Sequence, residues 1–467
     1  MRSRRLSDVA AAVGGKLAED GDAVVRGIAV DSRGVTPGDL FVALPGDRVN
    51  GEDFVEDALA RGAAAAMVGP RWAGRGGRLI VVDDPGAALL RLAGHQRANL
   101  RAHVVGITGS TGKTCTKDLT AAVLRRRFDV VASPASFNNE VGLPLTLLEA
   151  DEQTEAIVCE MGSRGPGHIR LLCEVARPTI GVVTNVGVAH MELFGSPEVL
   201  RDAKAELPES LPADGAAILN ADDPVVRDYG DRTPARVVWF GTEETADVAA
   251  KAVEVSPGTG LASFVLRTPD GSAPVRLRVP GEHMVPNALA AAAVGWTLGM
   301  SAAECADQLA TASVSGGRME VTEAGGVRVL NDAYNANPVS MAAALRAARA
   351  MAGDGRCIAV LGYMAELGPI AQDEHRRIGE LAARLGIDLL VVVGTEASLI
   401  AAGARDAGLP PDRMTTCAGP QEAAALVGSL VRSRDLVLVK ASRVARLERV
   451  ADALERSLAD RPRQAAG

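Results

Sequence analysis

The sequence predicts an α/β protein built from three units. Three observations carry the prediction: a length of 467 residues, a strand, glycine loop and helix around residue 110, and a second alternation of strands and helices after residue 315. One hydrophobic core does not serve a chain of that length, because soluble chains divide at roughly 150 residues per domain. Hydrophobic residues make up 47% and charged residues 23%, ordinary globular usage that excludes a fibrous or wholly disordered protein.

The first unit, residues 1–100, mixes short apolar runs (Leu40-Phe-Val-Ala-Leu44, Ala64-Ala-Ala-Met-Val68, Leu79-Ile-Val-Val82) with frequent turns, as a small α/β domain does. Its N-terminus reads as a capped first helix, since Ser7-Asp8 and Gly14-Gly15-Lys16 break the apolar stretch a signal peptide requires. The second unit, residues 101–314, opens on the buried strand Val104-Val-Gly-Ile107, a glycine loop and a helix from about Lys113 to Arg126. Further buried strands at Ala156-Ile-Val-Cys159, Ile180-Gly-Val-Val183 and Ala216-Ala-Ile-Leu219 imply a mostly parallel sheet with helices on both faces. Between 245 and 280 the alternating runs Ala262-Ser-Phe-Val-Leu266 and Val275-Arg-Leu-Arg-Val279, with no helix between them, predict an inserted β-hairpin. An alanine-rich helix then follows from Pro286 to Gly299. Ser315-Gly316-Gly317 is a flexible boundary. The third unit, residues 315–467, restarts the alternation with strand 327–331, helix 338–351, strand 357–361, helix 374–384, strand 388–393 and two more pairs. That is a Rossmann-like, doubly wound pattern.

Charge narrows the function classes. A net charge of -8 argues against electrostatic binding of DNA or RNA, which needs a basic face. The longest apolar runs, such as Leu389-Leu-Val-Val-Val393, fall short of the roughly 18 residues of a membrane-spanning helix. The six cysteines, at 115, 159, 173, 305, 357 and 417, form no CxxC pair and no zinc-ligand spacing. Reduced thiols in a cytoplasm are expected.

The chemistry-bearing residues cluster at strand ends. In Gly109-Ser110-Thr111-Gly112-Lys113-Thr114 the glycines let backbone N–H groups curl around an anion, and the following helix offers its positive end to the same phosphates. Lys113 adds a point charge, and Thr114 a hydroxyl for magnesium. The spacing is GxxGKT rather than GxxxxGK[ST], because position 107 is Ile and Gly106 stands one residue too early. Glu160 closes a buried strand beside this loop, where a carboxylate holds Mg2+ or is simply solvated. His190 follows the next strand on the same edge, a position that suits a ligand or a structural histidine. Lys204, on a helix after Gly195-Ser-Pro, reads by itself as a surface lysine. Arg318 at the hinge suits a transferring phosphoryl group, and Asp332 and Asn335 suit ribose or phosphate. Asn335 and Asn337 equally suit a turn that caps the helix after Pro338. Asp31-Ser32-Arg33 offers a hydroxyl and a guanidinium to an anionic substrate.

Taken together, these stretches resemble the Mur ligase family from about Asp31 to about Leu458. Phe137-Asn-Asn-Glu-Val-Gly-Leu-Pro144, Glu160-Met-Gly162, Leu219-Asn-Ala-Asp-Asp-Pro224 and Ala365-Glu-Leu-Gly368 add to the match. The resemblance implies a cytoplasmic, ATP-dependent peptide ligase of peptidoglycan synthesis, acting as a monomer. It would join D-alanyl-D-alanine to a UDP-MurNAc-tripeptide through an acyl phosphate. It implies Lys113 and Thr114 on the phosphates and a first Mg2+, Glu160 on that ion, and His190 on a second. Lys204 matches the lysine that the family carbamylates with CO2, giving an anion that binds Mg2+ where an ammonium does not. Gly109, Ser110, Thr111 and Gly112 would wrap the phosphates, and Asn287 matches an adenine contact. Arg318 and Asp332 match nucleotide contacts from the third unit. Ser32 and Arg33 would hold the uridine diphosphate, with Asn138, Asn139, Asn335 and Asn337 near the substrates. Three positions depart from the family pattern: Tyr363 where an acidic or polar residue is usual, Met284 where Asn is common, and Glu52 for a frequent His.

Two other readings compete. The first keeps the ligase chemistry on another amine or carboxylate, as in a paralogue recruited to natural-product synthesis or a folyl-polyglutamate type. The second is a nucleotide-binding scaffold without catalysis, against which Lys113, Glu160, His190 and Lys204 together argue.

Overall fold

The computed structural model describes residues 3–19, 23–46, 49–187 and 191–459, organised around three main sheets. In the first, Gly27–Ala29, Asp39–Val42, Ala65–Val68 and Leu79–Val81 run parallel, and Lys16–Leu17 pairs antiparallel at the edge. Parallel strands need both faces covered, which is why Ala65–Val68 is apolar and buried throughout. The first helix, Leu6–Val13, differs from expectation at its start, where no side chain caps it. Its secure end is the other one, where Gly14 takes the left-handed φ of 66° and returns its N–H to the carbonyls of Ala10 and Ala11.

Helix Pro85–Ala98, capped by Asp84, carries this unit into the next. Its Arg97 donates to the carbonyls of Leu100 and Ala176, both at 2.9 Å. Leu89 and Leu92 share one core with Leu143, Leu147, Ile169 and Leu172 of the central unit. The two units are thus joined by a continuous apolar contact rather than a free linker.

The central sheet has nine strands, with His103–Thr108 between Ile180–Val183 and Ala156–Glu160, all three parallel. The chain leaves His103–Thr108 for one side and returns to the other, so a crevice opens at the carboxyl end of that strand. Residues 248–280 correct the expected hairpin. Val248–Val255, Leu261–Thr268 and Gly271–Pro280 form a three-stranded meander that continues the central sheet, its first strand parallel to Arg236–Gly241. The alanine-rich helix runs Met284–Thr297 and is buried from Ala288 to Gly295. Small side chains let it lie close against helix Lys113–Leu124 and the sheet.

The third sheet orders Glu320–Ala324, Val327–Asn331, Leu436–Lys440, Cys357–Leu361, Leu389–Val393 and Met414–Cys417. All are parallel except the first pair, as a doubly wound unit requires. It packs over the crevice edge of the central unit. The N–H of Glu192 donates to the Glu366 carbonyl at 3.2 Å, and that of Gly258 to the Ala350 carbonyl at 3.2 Å.

Candidate functional site

Both glycines of the phosphate loop are forced. Gly109 has φ 144°, and a Cβ there would stand 2.0 Å from the Thr184 hydroxyl. Gly112 has φ 79°, with its virtual Cβ 2.4 Å from the Asn287 amide oxygen. The loop is held from the neighbouring strand end, where Asn185 accepts the N–H of Ser110 on its carbonyl at 2.9 Å and that of Thr111 on its side chain at 3.0 Å. Helix Lys113–Leu124 starts with no side-chain cap. Its first-turn N–H groups and positive dipole end are therefore left for an anion. Lys113 folds back over the loop, its ammonium 2.7 Å from the Gly109 carbonyl. Burial lowers its pKa, the Glu160 carboxylate works against that, and Arg318 adds to it.

Glu160 ends its strand fully buried. One carboxylate oxygen accepts from the Thr114 hydroxyl at 2.7 Å and the other from the Asn138 amide at 2.8 Å. The hydroxyl and carboxylate therefore form a hard-oxygen pair at the root of the phosphate loop. Lys204 lies on helix Pro197–Glu209 and is 1% exposed, so it is not a surface lysine. It makes no hydrogen bond or ion pair with any described residue. Burial first and the Lys113 charge second hold its pKa well below the ordinary lysine value, with Glu206 opposing. Among the described residues no three His, Cys, Asp or Glu side chains converge to hold a metal, and His190 lies outside the described residues.

The third unit completes a cleft of about 720 Å³. Arg318 donates to the Ser136 hydroxyl at 2.6 Å, stacks its guanidinium 3.7 Å above the Tyr334 ring, and buries Nη1 with no hydrogen-bond partner among the described residues. Asp332 accepts the Met319 N–H at 3.1 Å on one oxygen and the Lys440 ammonium at 2.5 Å on the other. Lys440 also donates to the Asn335 carbonyl at 3.0 Å. Asn337 caps helix Pro338–Ala352 in a reciprocal box with Ser340, and Asn139 accepts the N–H groups of Val141 and Gly142. Both line the cleft while serving these turns.

Known proteins share this arrangement. Profiles described as Mur ligase middle domain, Mur ligase glutamate ligase domain, and Mur ligase family catalytic domain match residues 107–295, 317–443 and 24–72. The UDP-N-acetylmuramoyl-tripeptide–D-alanyl-D-alanine ligase of Mycobacterium tuberculosis is 44% identical over 495 aligned residues, covering 96% of this chain and 97% of its own. This chain belongs to the Mur ligase family. A MurF crystal structure from Acinetobacter baumannii superposes with a TM-score of 0.87 at 29% identity, covering 97% of this chain and 99% of that one. The MurF of Thermotoga maritima in complex with ADP gives a TM-score of 0.81 at 31% identity, covering 94% and 99%.

Within this Mur ligase, the structure brings Ser110 to Thr114, Asn138, Asn139, Glu160, Lys204, Asn287, Arg318, Asp332, Asn335 and Asn337 to one cleft. It does not bring Ser32 or Arg33 there. They sit in the turn after strand Gly27–Ala29, at the carboxyl edge of the first sheet, where Ser32 is buried and Arg33 pairs with Asp31 in solvent. None of the three departures from the family pattern lines the cleft. Tyr363 stacks on His375 with ring centroids 5.1 Å apart, Met284 is buried, and Glu52 accepts the Gly69 N–H at 2.7 Å and pairs with Arg71. Sequence reasoning missed Lys440, Ser136 and Asn185. The signal for Lys440 was present, since a lysine ends the otherwise apolar strand Leu436-Val-Leu-Val-Lys440, just as Glu160 ends its own.

Proposed function

We propose that this ATP-dependent Mur ligase joins the amine of D-alanyl-D-alanine to the terminal carboxylate of a UDP-MurNAc-tripeptide, giving the pentapeptide precursor of peptidoglycan, ADP and phosphate. The observation that carries the reading is one cleft between two units. The phosphate loop lies on one wall and Arg318 reaches in from the other, its Nη1 buried and without a hydrogen-bond partner among the described residues. A γ-phosphoryl oxygen supplies that missing partner. The full-length likeness to the M. tuberculosis ligase supports the choice of substrates.

The first-turn N–H groups, Lys113 and Arg318 bind and orient the phosphates and oppose the charge that develops as the γ-phosphoryl group passes to the tripeptide carboxylate. The amine then displaces phosphate from the acyl carbon. The third unit covers the cleft, which keeps water from the acyl phosphate. Asn287, beside Gly112, is assigned to the adenine side, and Asp332 and Asn335 to the ribose side. Asn138, Asn139 and Asn337 are assigned to the peptide path, and Ser32 and Arg33 to the uridine diphosphate at the edge of the first sheet.

The residues fit Mg2+. It keeps several waters and takes only one or two protein carboxylates beside phosphate oxygens, so the buried Thr114 hydroxyl and Glu160 carboxylate suffice for one ion. Lys204 as a carbamate, with His190, would hold a second. When bound, Mg2+ neutralises charge on the phosphates. Burial keeps part of Lys204 as the free amine, whose nitrogen adds to the carbon of CO2 and loses a proton to leave the carbamate anion. Residues 1–100, 101–314 and 315–467 are assigned as substrate, ATP and closing domains of a monomer. No helix among the described residues is long and apolar enough to cross a membrane, and all six cysteines are free thiols. Both facts accord with a cytoplasmic enzyme. The test is ADP release by the purified chain. It is expected only when ATP, the UDP-tripeptide and D-alanyl-D-alanine are all present; equal release without the dipeptide would overturn the reading.

A further inference from the structure

The chain crosses from the central to the third unit within four residues, and its anchors change sides there. Ser315, the first residue of the third unit, is still tied to the central one, because Asp118 accepts both its N–H and its hydroxyl at 2.8 Å on one carboxylate oxygen. Gly317 and Met319 belong to the third. The Gly317 N–H donates to Glu320 at 2.8 Å, its carbonyl accepts the Tyr334 N–H at 3.1 Å, and the Met319 N–H donates to Asp332 at 3.1 Å. Gly316 stands between the two clamps, and Gly317 follows at φ 71°.

Asp118 lies on helix Lys113–Leu124, one turn beyond Thr114. Its second oxygen pairs with Lys117 at 2.6 Å, with side-chain exposures of 3% for Lys117 and 16% for Asp118. Lys117 in turn donates to the carbonyls of Ser133 at 2.7 Å and Ala135 at 3.1 Å. The loop so held presents Ser136, whose hydroxyl receives Arg318 at 2.6 Å and lies 3.2 Å from that of Thr114. A single carboxylate–ammonium pair therefore fixes where the hinge begins and where Arg318 lands.

We propose that Asp118 is a positioning residue for the ligation: it pins Ser315 to the phosphate-loop helix, makes Gly316 the pivot of the third unit, and so aims Arg318 at the transferring phosphoryl group. This rests on the reading of Arg318 given above. Without the clamp the pivot lengthens to include Ser315, and the guanidinium samples positions that miss the phosphate. A displacement of about 1 Å at a reacting group is enough to cost roughly a hundredfold in rate.

The experiment is a kinetic cycle on the full chain with Asp118→Ala, Arg318→Ala and the double variant, backed by Asp118→Asn and Ser315→Ala in case the first folds poorly. Asp118→Ala is expected to lower kcat roughly ten- to a hundredfold with KM for the UDP-tripeptide unchanged. Ser315→Ala should lose less, since its N–H remains, and Asp118→Asn should recover part of the rate. In the Arg318→Ala background, Asp118→Ala should change kcat less than about twofold, because a residue that acts through Arg318 has nothing left to aim. An undiminished effect there, or a kcat within about twofold of wild type for Asp118→Ala, overturns the inference while leaving Arg318 in its role. An Arg318→Ala variant as fast as wild type overturns the reading of Arg318 and the inference with it.

Discussion

Replacing Asp332 with Asn separates its structural duty from its assigned place beside the nucleotide. In the Asp332–Lys440 pair the ammonium is 2% and the carboxylate 13% exposed, so water screens neither well. Lys440 has three acceptors: the Asp332 carboxylate at 2.5 Å, the Asn335 carbonyl at 3.0 Å and the Asp332 carbonyl at 3.3 Å. Only the first is charged. The introduced amide keeps an acceptor for the Met319 N–H and leaves both carbonyls in place, but strands a buried ammonium. Breaking a buried pair from one side costs about 3–5 kcal/mol, and the retained carbonyls place this case near the lower figure. Adding Lys440→Met removes the stranded charge and should restore most of the loss. All three tryptophans, at 72, 239 and 296, precede residue 315, so tryptophan fluorescence does not report on this unit. Amide hydrogen exchange in Val327–Asn331 and Leu436–Lys440, which pair in register, does. Exchange should accelerate about a hundredfold in Asp332→Asn, the equivalent of about 3 kcal/mol. A change below about 1 kcal/mol, or a double variant no better than the single, would refute the reasoning.

Three further outcomes follow from a buried lysine and a buried imidazole. Lys204 has a folded-state pKa far below its ordinary 10.5, so the unfolded chain binds the extra proton and the group's penalty to stability shrinks as pH rises toward 10.5. Lys204→Met should thus raise Tm at neutral pH and flatten its rise with pH. Lys204→Ala should abolish ligation and regain part of it with a short carboxylic acid; full activity without the acid would sink the carbamate role. His375 is held neutral by burial, its Nε2 accepting the Met364 N–H at 3.0 Å and its Nδ1 2.6 Å from the Ala371 carbonyl. With its folded pKa below the unfolded 6.5, stability is complete above that value and falls as pH drops through it. His375→Gln should reduce the loss of urea midpoint between about pH 7 and pH 5, and equal slopes in both proteins would contradict this assignment.

Residues that declare their chemistry locally were legible in the sequence. Gly109, Gly112, Lys113 and Thr114 are such residues, because a strand, two glycines and a helix start fix within a dozen positions the loop to which phosphate binding is assigned. Glu160 was legible for a similar reason, as an acidic residue closing an apolar strand. Lys204 was not: on a helix with polar neighbours it reads as solvated, and only the packing of that helix inside the central unit buries it, with no ion pair among the described residues. Ser136 and Asn185 carried no local signal, since each matters through a partner, Arg318 or Thr111, supplied by distant chain. None of the three departures from the family pattern lines the cleft, but Met284 packs directly behind it, its sulfur 3.7 Å from the Asn287 amide.

The sequence by itself determined the three α/β units and the glycine loop at Gly109 and Gly112, because each rests on short-range periodicity and glycine stereochemistry. Only the tertiary structure decided that residues 248–280 extend the central sheet, that Lys440 ties down Asp332, and that Arg318 faces Lys113 across one cleft. The last two join segments far apart in the chain, and the first turns on one edge pairing, Phe240 with Val248. They are set by which surfaces remain to be buried once the local elements exist, and no short window of sequence contains that information.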